Sequence, residues 1–369
     1  MVICTQLSDR QHLTAIASSI ATAISEPLNW QGFPIQITAS IGAVLADPTK
    51  SDLDELLNQA DFALYAVKSH GRDAVQVFDD NFKIAFERES RRNKELNKAI
   101  RDGELTHHFQ PVLRAETGEI RNFEVFTRWN HPTHGFLSAE EFLDVAEAAG
   151  RITEIDFLAA EAAARLLADI QATGHHAMLV GINVSSAFLH STNSVDRLSA
   201  LLKNHNVPPD RFVIEIPETV IASTTNQKEN LSVLQEFRER GFLVVIDDFR
   251  AGSLGLIQLP HLPINGIKIS RTLTSELETN DVQQKVLRTV LDIAADLELR
   301  TIVSGIETTE RAKLVKSFKG VRVQGHLYAK PMPFDQVLPW IDQHYSKFSV
   351  STDIAPPKDD RYLGANSEL

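Results

Sequence analysis

Residues 243–270 read LVVIDDFRAGSLGLIQLPHLPINGIKIS. An aliphatic run passes straight into the paired acids Asp247 and Asp248. After a loop, a second short apolar run, Gly266–Ile269, carries Lys268 between two isoleucines. Both runs read as short strands. Working outward, similar strands recur at His107–Val112, Phe123–Arg128, Met178–Val184, Phe212–Ile216, Arg300–Val303 and Val321–Gln324. Helical segments separate most of them, among them Ala139–Ala149, Phe157–Ile170, Leu231–Arg240 and Val282–Leu297. Eight strands alternating with helices between Leu105 and Trp340 have the size and rhythm of a TIM-like (β/α)8 barrel. A doubly wound open sheet is the competing arrangement, but no glycine-rich phosphate loop of the dinucleotide type occurs.

The first 80 residues read as a partial α/β unit. Leu13, Ile16, Ile20 and Ile24 recur at helical spacing before Pro27. Ile35, Ile37, Ala39 and Ile41 alternate with Gln36, Thr38 and Ser40, the period-two pattern of a half-buried strand. A second helix is expected from about Asp52, capped by Ser51 or Asp52, to Gly71, and a last strand at Val75–Phe78. That inventory is thin for a freestanding domain, so the missing part is expected in front of Met1. Residues 81–104 read as a charged helical connector and residues 105–345 as the barrel. The polar stretch 346–369, with Pro356–Pro357, reads as a disordered tail.

Charge narrows the partners. The 369 residues carry 37 basic and 49 acidic side chains, a formal net of −12. A field of that sign disfavours DNA and anionic lipid, yet admits a small anion if cations neutralise it locally. The single Cys4 rules out an intrachain disulfide framework. No apolar stretch has the length of a membrane span, and no secretory pattern is present. The expectation is a soluble, acidic, cytoplasmic chain.

In a barrel of this class, chemistry gathers at the carboxyl ends of the strands. The second strand carries Glu124, with Arg128 at its end; the third ends at Asn183 and the fourth near Glu215. Asp247–Asp248, Lys268 and Gln324 follow on later strands. Each has an ordinary reading alone: a surface charge for Glu124, a helix cap for Asn183, a loop start for the aspartates. Lys268 is harder to dismiss, because a lysine inside a buried strand must pair or titrate. Several carboxylates on one rim repel one another unless cations lie among them. Oxygen ligands with no thiolate and no clustered histidine point to Mg²⁺ or Mn²⁺. Divalent ions with a lysine suit a phosphate-bearing substrate, and two such ions could clamp a phosphoryl displacement.

The residues also carry a family resemblance. FQPV at 109–112, EVFTRWNHP at 124–132, EEFLDVAEAAG at 140–150, NVSSAFL at 183–189, IEIPET at 214–219, VVIDDF at 244–249, IKIS at 267–270, SGIET at 304–308 and QGHLYAKPM at 324–332 occur in order. Residues 105–340 thereby resemble the EAL domain, the cyclic di-GMP phosphodiesterase fold of bacteria. ITASIGAVLADP and ADFALYAVKSHGRDAV, within residues 35–78, resemble the carboxyl-terminal half of a GGDEF domain. The resemblance implies that Glu124, Asn183, Glu215 and Asp247 hold a first metal and that Asp248 serves a second. It implies that Lys268 holds the attacking water or a phosphate oxygen. Arg128 and Gln324 would contact cyclic di-GMP, with Gln110 near the same pocket, and Glu218 and Glu307 would brace the loop after the aspartates. The resemblance also implies a homodimer through the barrel, near the loop after the aspartates, where EAL relatives often dimerise.

Departures from the family pattern decide between readings. Where the family carries a glutamate as general base or second-metal ligand, this chain has Ser304; Gly305, Ile306, Glu307 and Thr308 fix the register. A serine hydroxyl has no useful basicity near neutrality, and loss of a general base alone costs roughly 10²–10⁴-fold in rate. The loop after the aspartates reads DFRAGSLGL instead of DFGTGYSSL, changing Arg250, Ser253, Leu254 and Gly255. The signature reads EVF, with Phe126 still able to cover a guanine face, and Ala139 replaces a proline. The first reading is therefore a degenerate EAL barrel that binds cyclic di-GMP as a receptor, with weak or no hydrolysis. The second is a metal-dependent phosphodiesterase releasing linear pGpG; the third is a scaffold that binds no nucleotide. Diguanylate cyclase activity is not expected, since the GGDEF signature would lie ahead of Val2–Ile3.

Overall fold

The computed structural model describes residues 1–31, 33–47, 52–69, 71–223, 227–252 and 254–349. Ser51, Ser253 and the tail beyond residue 349 lie outside them; residues 346–349 finish the last helix. The chain divides into two compact units, Met1–Glu95 and Leu96 onward.

In the first unit, α1 (Arg10–Ser25) starts where the Asp9 carboxylate accepts from the His12 amide at 2.8 Å, and it buries Leu13 and Ala17. The strands β1 (Leu28–Trp30) and β2 (Phe33–Ile35) form an antiparallel hairpin. β3 (Ile41–Ala43), α2 (Leu53–Ser69) and β4 (Val75–Val77) make a crossover with β3 parallel to β4. A Cβ at Gly42 would sit 2.2 Å from the Ala60 carbonyl oxygen, so glycine is what lets α2 close on β3. The single strand expected over residues 35–41 does not form. Residues 36–40 pair with no strand among the described residues, and Ile37 stays half-exposed, so the alternation has no face to bury.

The charged helix α3 (Asp80–Asp102) crosses the division between the units. Its sparse apolar positions explain why. Leu96 and Ala99 are fully buried with Leu105, Trp129, Phe142 and Ile152 in a small cluster of the second unit.

That second unit is an eight-stranded closed barrel. Its strands are β5 (Leu105–Arg114), β6 (Ile120–His131), and, after the short outer strand β7 (Gly135–Ser138) and the helices α4 (Leu143–Ala148) and α5 (Ile152–Ala172), β8 (Leu179–Asn183). α6 (Ser186–Leu189) and α7 (Ser194–Asn204) lead to β9 (Phe212–Pro217); α8 (Glu218–Ala222) and α9 (Gln227–Glu239) lead to β10 (Leu243–Phe249). Then come β11 (Gly266–Ile269), α10 (Asp281–Asp296), β12 (Arg300–Val303), α11 (Thr309–Lys316), β13 (Arg322–Val323), β14 (Met332–Pro333) and α12 (Phe334–Ser349). The ring runs β5-β13-β12-β11-β10-β9-β8-β6 and closes from β6 back to β5. No helix among the described residues is long and apolar enough to cross a membrane.

The barrel departs from a uniform parallel ring in one place. β5 is antiparallel to both of its neighbours, β6 and β13. Its link to β6 is a tight turn, with the Gly118 amide on the Arg114 carbonyl at 2.8 Å. A parallel neighbour would need a crossover of a dozen or more residues. The remaining barrel strands are mutually parallel.

Side-chain alternation then assigns every barrel residue to a face. Val180, Ile182, Ile214, Ile216, Val244, Ile246, Ile267 and Ile269 belong to the main hydrophobic core, and α5 adds Ala160, Ala163, Ala164 and Leu167. The intervening positions face inward: Leu179, Val213 and Val245 form a small apolar cluster. One step further along the same strands stand Gly181, Glu215 and Asp247. Polar residues therefore fill the interior toward the carboxyl-terminal rim.

Candidate metal and nucleotide site

The inward face of β6 carries Glu124, then Phe126, then Arg128. Gln110 of the antiparallel β5 lies directly opposite Glu124 in register. Lys268, from β11, is the centre of the cluster. Its Nζ lies 2.6 Å from Glu124 Oε1, 2.8 Å from Glu215 Oε2 and 3.4 Å from Asp247 Oδ1. Asn183 Nδ2 donates to Glu124 Oε1 at 2.8 Å and Gln324 Nε2 to Glu124 Oε2 at 2.5 Å. Leaving aside the two loop-bracing acids, six of the ten residues singled out in the sequence thus meet in one hydrogen-bonded group.

The electrostatics follow from three carboxylates sharing one ammonium. Burial opposes ionisation of Glu124, but Lys268 and the Gln324 and Asn183 amides outweigh it and hold this carboxyl below its ordinary value. Burial and the Glu124 charge push Glu215 up to about 8. Asp247 is raised as well, by burial and by Glu124, against the pull of Lys268. Lys268 is desolvated, yet Asp247, Glu124 and Glu215 keep it firmly protonated.

A cation fits this group. One oxygen each of Glu124, Glu215 and Asp247 lies within 4.8 Å of the others. The Oε1 atom of Glu215, fully buried, has no hydrogen-bond partner, which is costly unless a cation or proton supplies one. With all three carboxylates ionised, as a bound cation would hold them, the acids less one ammonium carry −2, which one divalent ion cancels. The donors are hard oxygens, suited to Mg²⁺ or Mn²⁺.

The other four residues stand differently. Gln110 is buried, but its Nε2 donates to the Ala329 carbonyl at 2.9 Å. Arg128 lies over the Phe126 ring, 5.4 Å from its centroid, and donates to the Thr127 carbonyl at 2.9 Å. Asp248 turns away from the three acids: its carboxylate accepts from Ser270 Oγ and from the Arg250 guanidinium. The hydroxyl of Ser304 is spent on the Ile269 carbonyl at 2.6 Å. Of the two bracing acids, Glu218 does hold the loop, accepting from the amides of Arg250 and Leu254 at 2.7 Å each. Glu307 pairs instead with Arg271 at 2.8 Å among the described residues.

Two residues of the site were not singled out from sequence. Gly181 faces Glu124 in the β8–β6 register, and a Cβ there would lie 2.6 Å from Glu215 Oε1. Its signal was a lone glycine inside the strand LVGIN, a mark of close approach. Ser270, which fixes Asp248, carried no such signal beyond its position after IKI.

Comparison with known proteins agrees with this geometry. The EAL domain family matches residues 93–331, and the diguanylate cyclase GGDEF domain matches residues 1–74. The cyclic di-GMP phosphodiesterase NbdA of Pseudomonas aeruginosa is 28% identical over 318 residues, covering 86% of this chain and 40% of NbdA. The bifunctional diguanylate cyclase/cyclic di-GMP phosphodiesterase MucR of the same organism is 26% identical over 323 residues, covering 88% of this chain and 47% of MucR. The chain thus spans less than half the length of these relatives. Among solved structures, the PaMucR phosphodiesterase in complex with c-di-GMP superposes with a TM-score of 0.64 at 26% identity, covering 67% of this chain and 99% of that one. With the family matched across the whole ring of strands that builds the site, this chain belongs to the EAL domain family.

Proposed function

We propose that the barrel binds cyclic di-GMP at its carboxyl-terminal rim and acts as a receptor with weak or no hydrolysis, in the cytoplasm and as a pair of barrels. One observation carries the reading. The cation-binding acids, Lys268 and Gln324 are assembled, while the Ser304 hydroxyl, in the place of the expected base, is tied to a backbone carbonyl. A bound Mg²⁺ or Mn²⁺ would neutralise phosphate charge and polarise a phosphoryl oxygen. Lys268, held protonated, supplies a fixed positive charge beside it. Arg128, half-buried on the same inward face, offers a planar donor fork for phosphate, and the Phe126 ring an apolar face for a base. The name of PaMucR and its bound dinucleotide support the choice of ligand.

A second reading is a working phosphodiesterase that opens the ring to linear pGpG. The unpartnered Glu215 oxygen and the complete first-cation set favour it. Calorimetric titration of cyclic di-GMP in EDTA and in Mn²⁺ tests the shared part. Saturable binding that Arg128→Ala weakens about tenfold, within the usual worth of a charge-assisted contact, agrees with both readings. No binding under either condition leaves the scaffold reading.

A further inference from the structure

We infer that the barrel holds one divalent cation, and that Arg250 takes the place of a second, neutralising Asp248 and serving as a phosphate anchor on the rim; this rests on the nucleotide-binding reading above. The resemblance implies a second cation at Asp248 together with an acid at position 304. The residues present do not fit it.

The backbone explains why. The register between β10 and β11 shifts between Ile246 and Phe249, the mark of a bulge, and Asp248 sits in the left-handed region at φ 52°. A bulge re-aims a side chain, and here it separates two adjacent aspartates. Asp247 turns inward to Lys268, while Asp248 is engaged on both oxygens by Ser270 and Arg250. The arginine is itself held in position. Its amide and that of Leu254 are both fastened to the buried Glu218 carboxylate at 2.7 Å, although its side chain remains 56% exposed.

Charge completes the argument. Ser304 contributes none, and Glu307 is matched by Arg271. When ionised around a cation, the three inward acids less the Lys268 ammonium carry −2, the charge of one divalent ion. A second would meet a guanidinium where it needs a carboxylate, and repulsion would exclude it. A planar guanidinium already ordered by a carboxylate is also a suitable donor to a phosphate oxygen.

Mn²⁺ binding to the full chain, followed by the electron paramagnetic resonance signal of free Mn²⁺ in the absence of nucleotide, tests the cation count. The expected result is one ion per chain in the wild type and two in the Arg250→Gly/Ser304→Glu double variant. Two ions or none in the wild type would overturn the inference, and so would one in the double variant, because the arginine would then not be what excludes the second. The anchor is tested by cyclic di-GMP calorimetry: Arg250→Ala lowers affinity about tenfold and Arg250→Lys restores part of it, whereas unchanged affinity contradicts the anchor. Failure of the wild type to bind the dinucleotide would strike the functional reading and the anchor with it, and would leave the cation count standing, since that is made without nucleotide.

Discussion

Among the described residues, Lys268 is the only ammonium beside the three inward carboxylates, at 2.6, 2.8 and 3.4 Å. Replacing it by methionine keeps the stem volume and removes the charge. Without a cation, the acids then stand within 4.8 Å of one another with nothing to offset them. At that separation each like-charged pair repels by about 3.5 kcal/mol at an effective dielectric of 20. Protonation relieves part of this, most readily at Glu215, which burial and Glu124 already push up to about 8. The net cost in EDTA is expected at about 3–5 kcal/mol, the usual penalty for breaking a buried ion pair from one side. For a unit of this size that lowers the melting temperature by roughly 6–20 °C. Tryptophan fluorescence reads the barrel through Trp129 and Trp340, because Trp30 of the first unit is largely exposed. Mn²⁺ should return more stability to Lys268→Met than to the wild type, since the ion finds uncompensated charge. A variant that melts with the wild type in EDTA, or gains no more from Mn²⁺, would refute the claim that Lys268 neutralises this cluster.

Gly181→Ala places a methyl 2.6 Å from Glu215 Oε1 and should displace that carboxylate. Mn²⁺ affinity is expected to fall about tenfold or more, with an overpacking penalty of about 1–3 kcal/mol; unchanged affinity would contradict the role given to Glu215. Asp156 is a second test, away from the cation. Burial, only partly offset by hydrogen bonds from Ser185, lifts its pKa from 3.8 to about 7. The folded chain therefore keeps a proton that the unfolded chain loses, so this group lowers stability as pH rises from about 4 to 7, by at most about 4 kcal/mol. Asp156→Asn should flatten that slope relative to the wild type in pH-resolved denaturant melts, and identical slopes would count against it.

The rhythm of apolar runs made the barrel legible because parallel strands covered on both faces need no alternation, and LVVIDDF and GIKI show this directly. The antiparallel first strand was less visible: the sequence between β5 and β6 lacks a helix, but only the Gly118 turn shows what that implies. The strand expected over 35–41 failed for another reason, since its pattern is correct while no partner strand meets it among the described residues. At the site, residue type and strand position brought out the acids, Lys268 and Gln324. Orientation was out of reach. Asp247 and Asp248 are adjacent in sequence and chemically identical, and only the bulge and a left-handed φ send one to the lysine and the other to Arg250. Helical spacing likewise hid the division of α3, where Leu96 and Ala99 look like isolated apolar positions on a charged helix.

The central claim proposed here is that this barrel binds the dinucleotide with weak or no turnover, and the mass of the nucleotide decides it. The full chain is incubated with cyclic di-GMP and Mn²⁺ until binding is complete, and the nucleotide is then analysed by mass spectrometry, beside Ser304→Glu. The account predicts largely intact cyclic di-GMP from the wild type, with the ligand bound throughout. Linear pGpG as the main product of the wild type, abolished by Lys268→Ala, would contradict it.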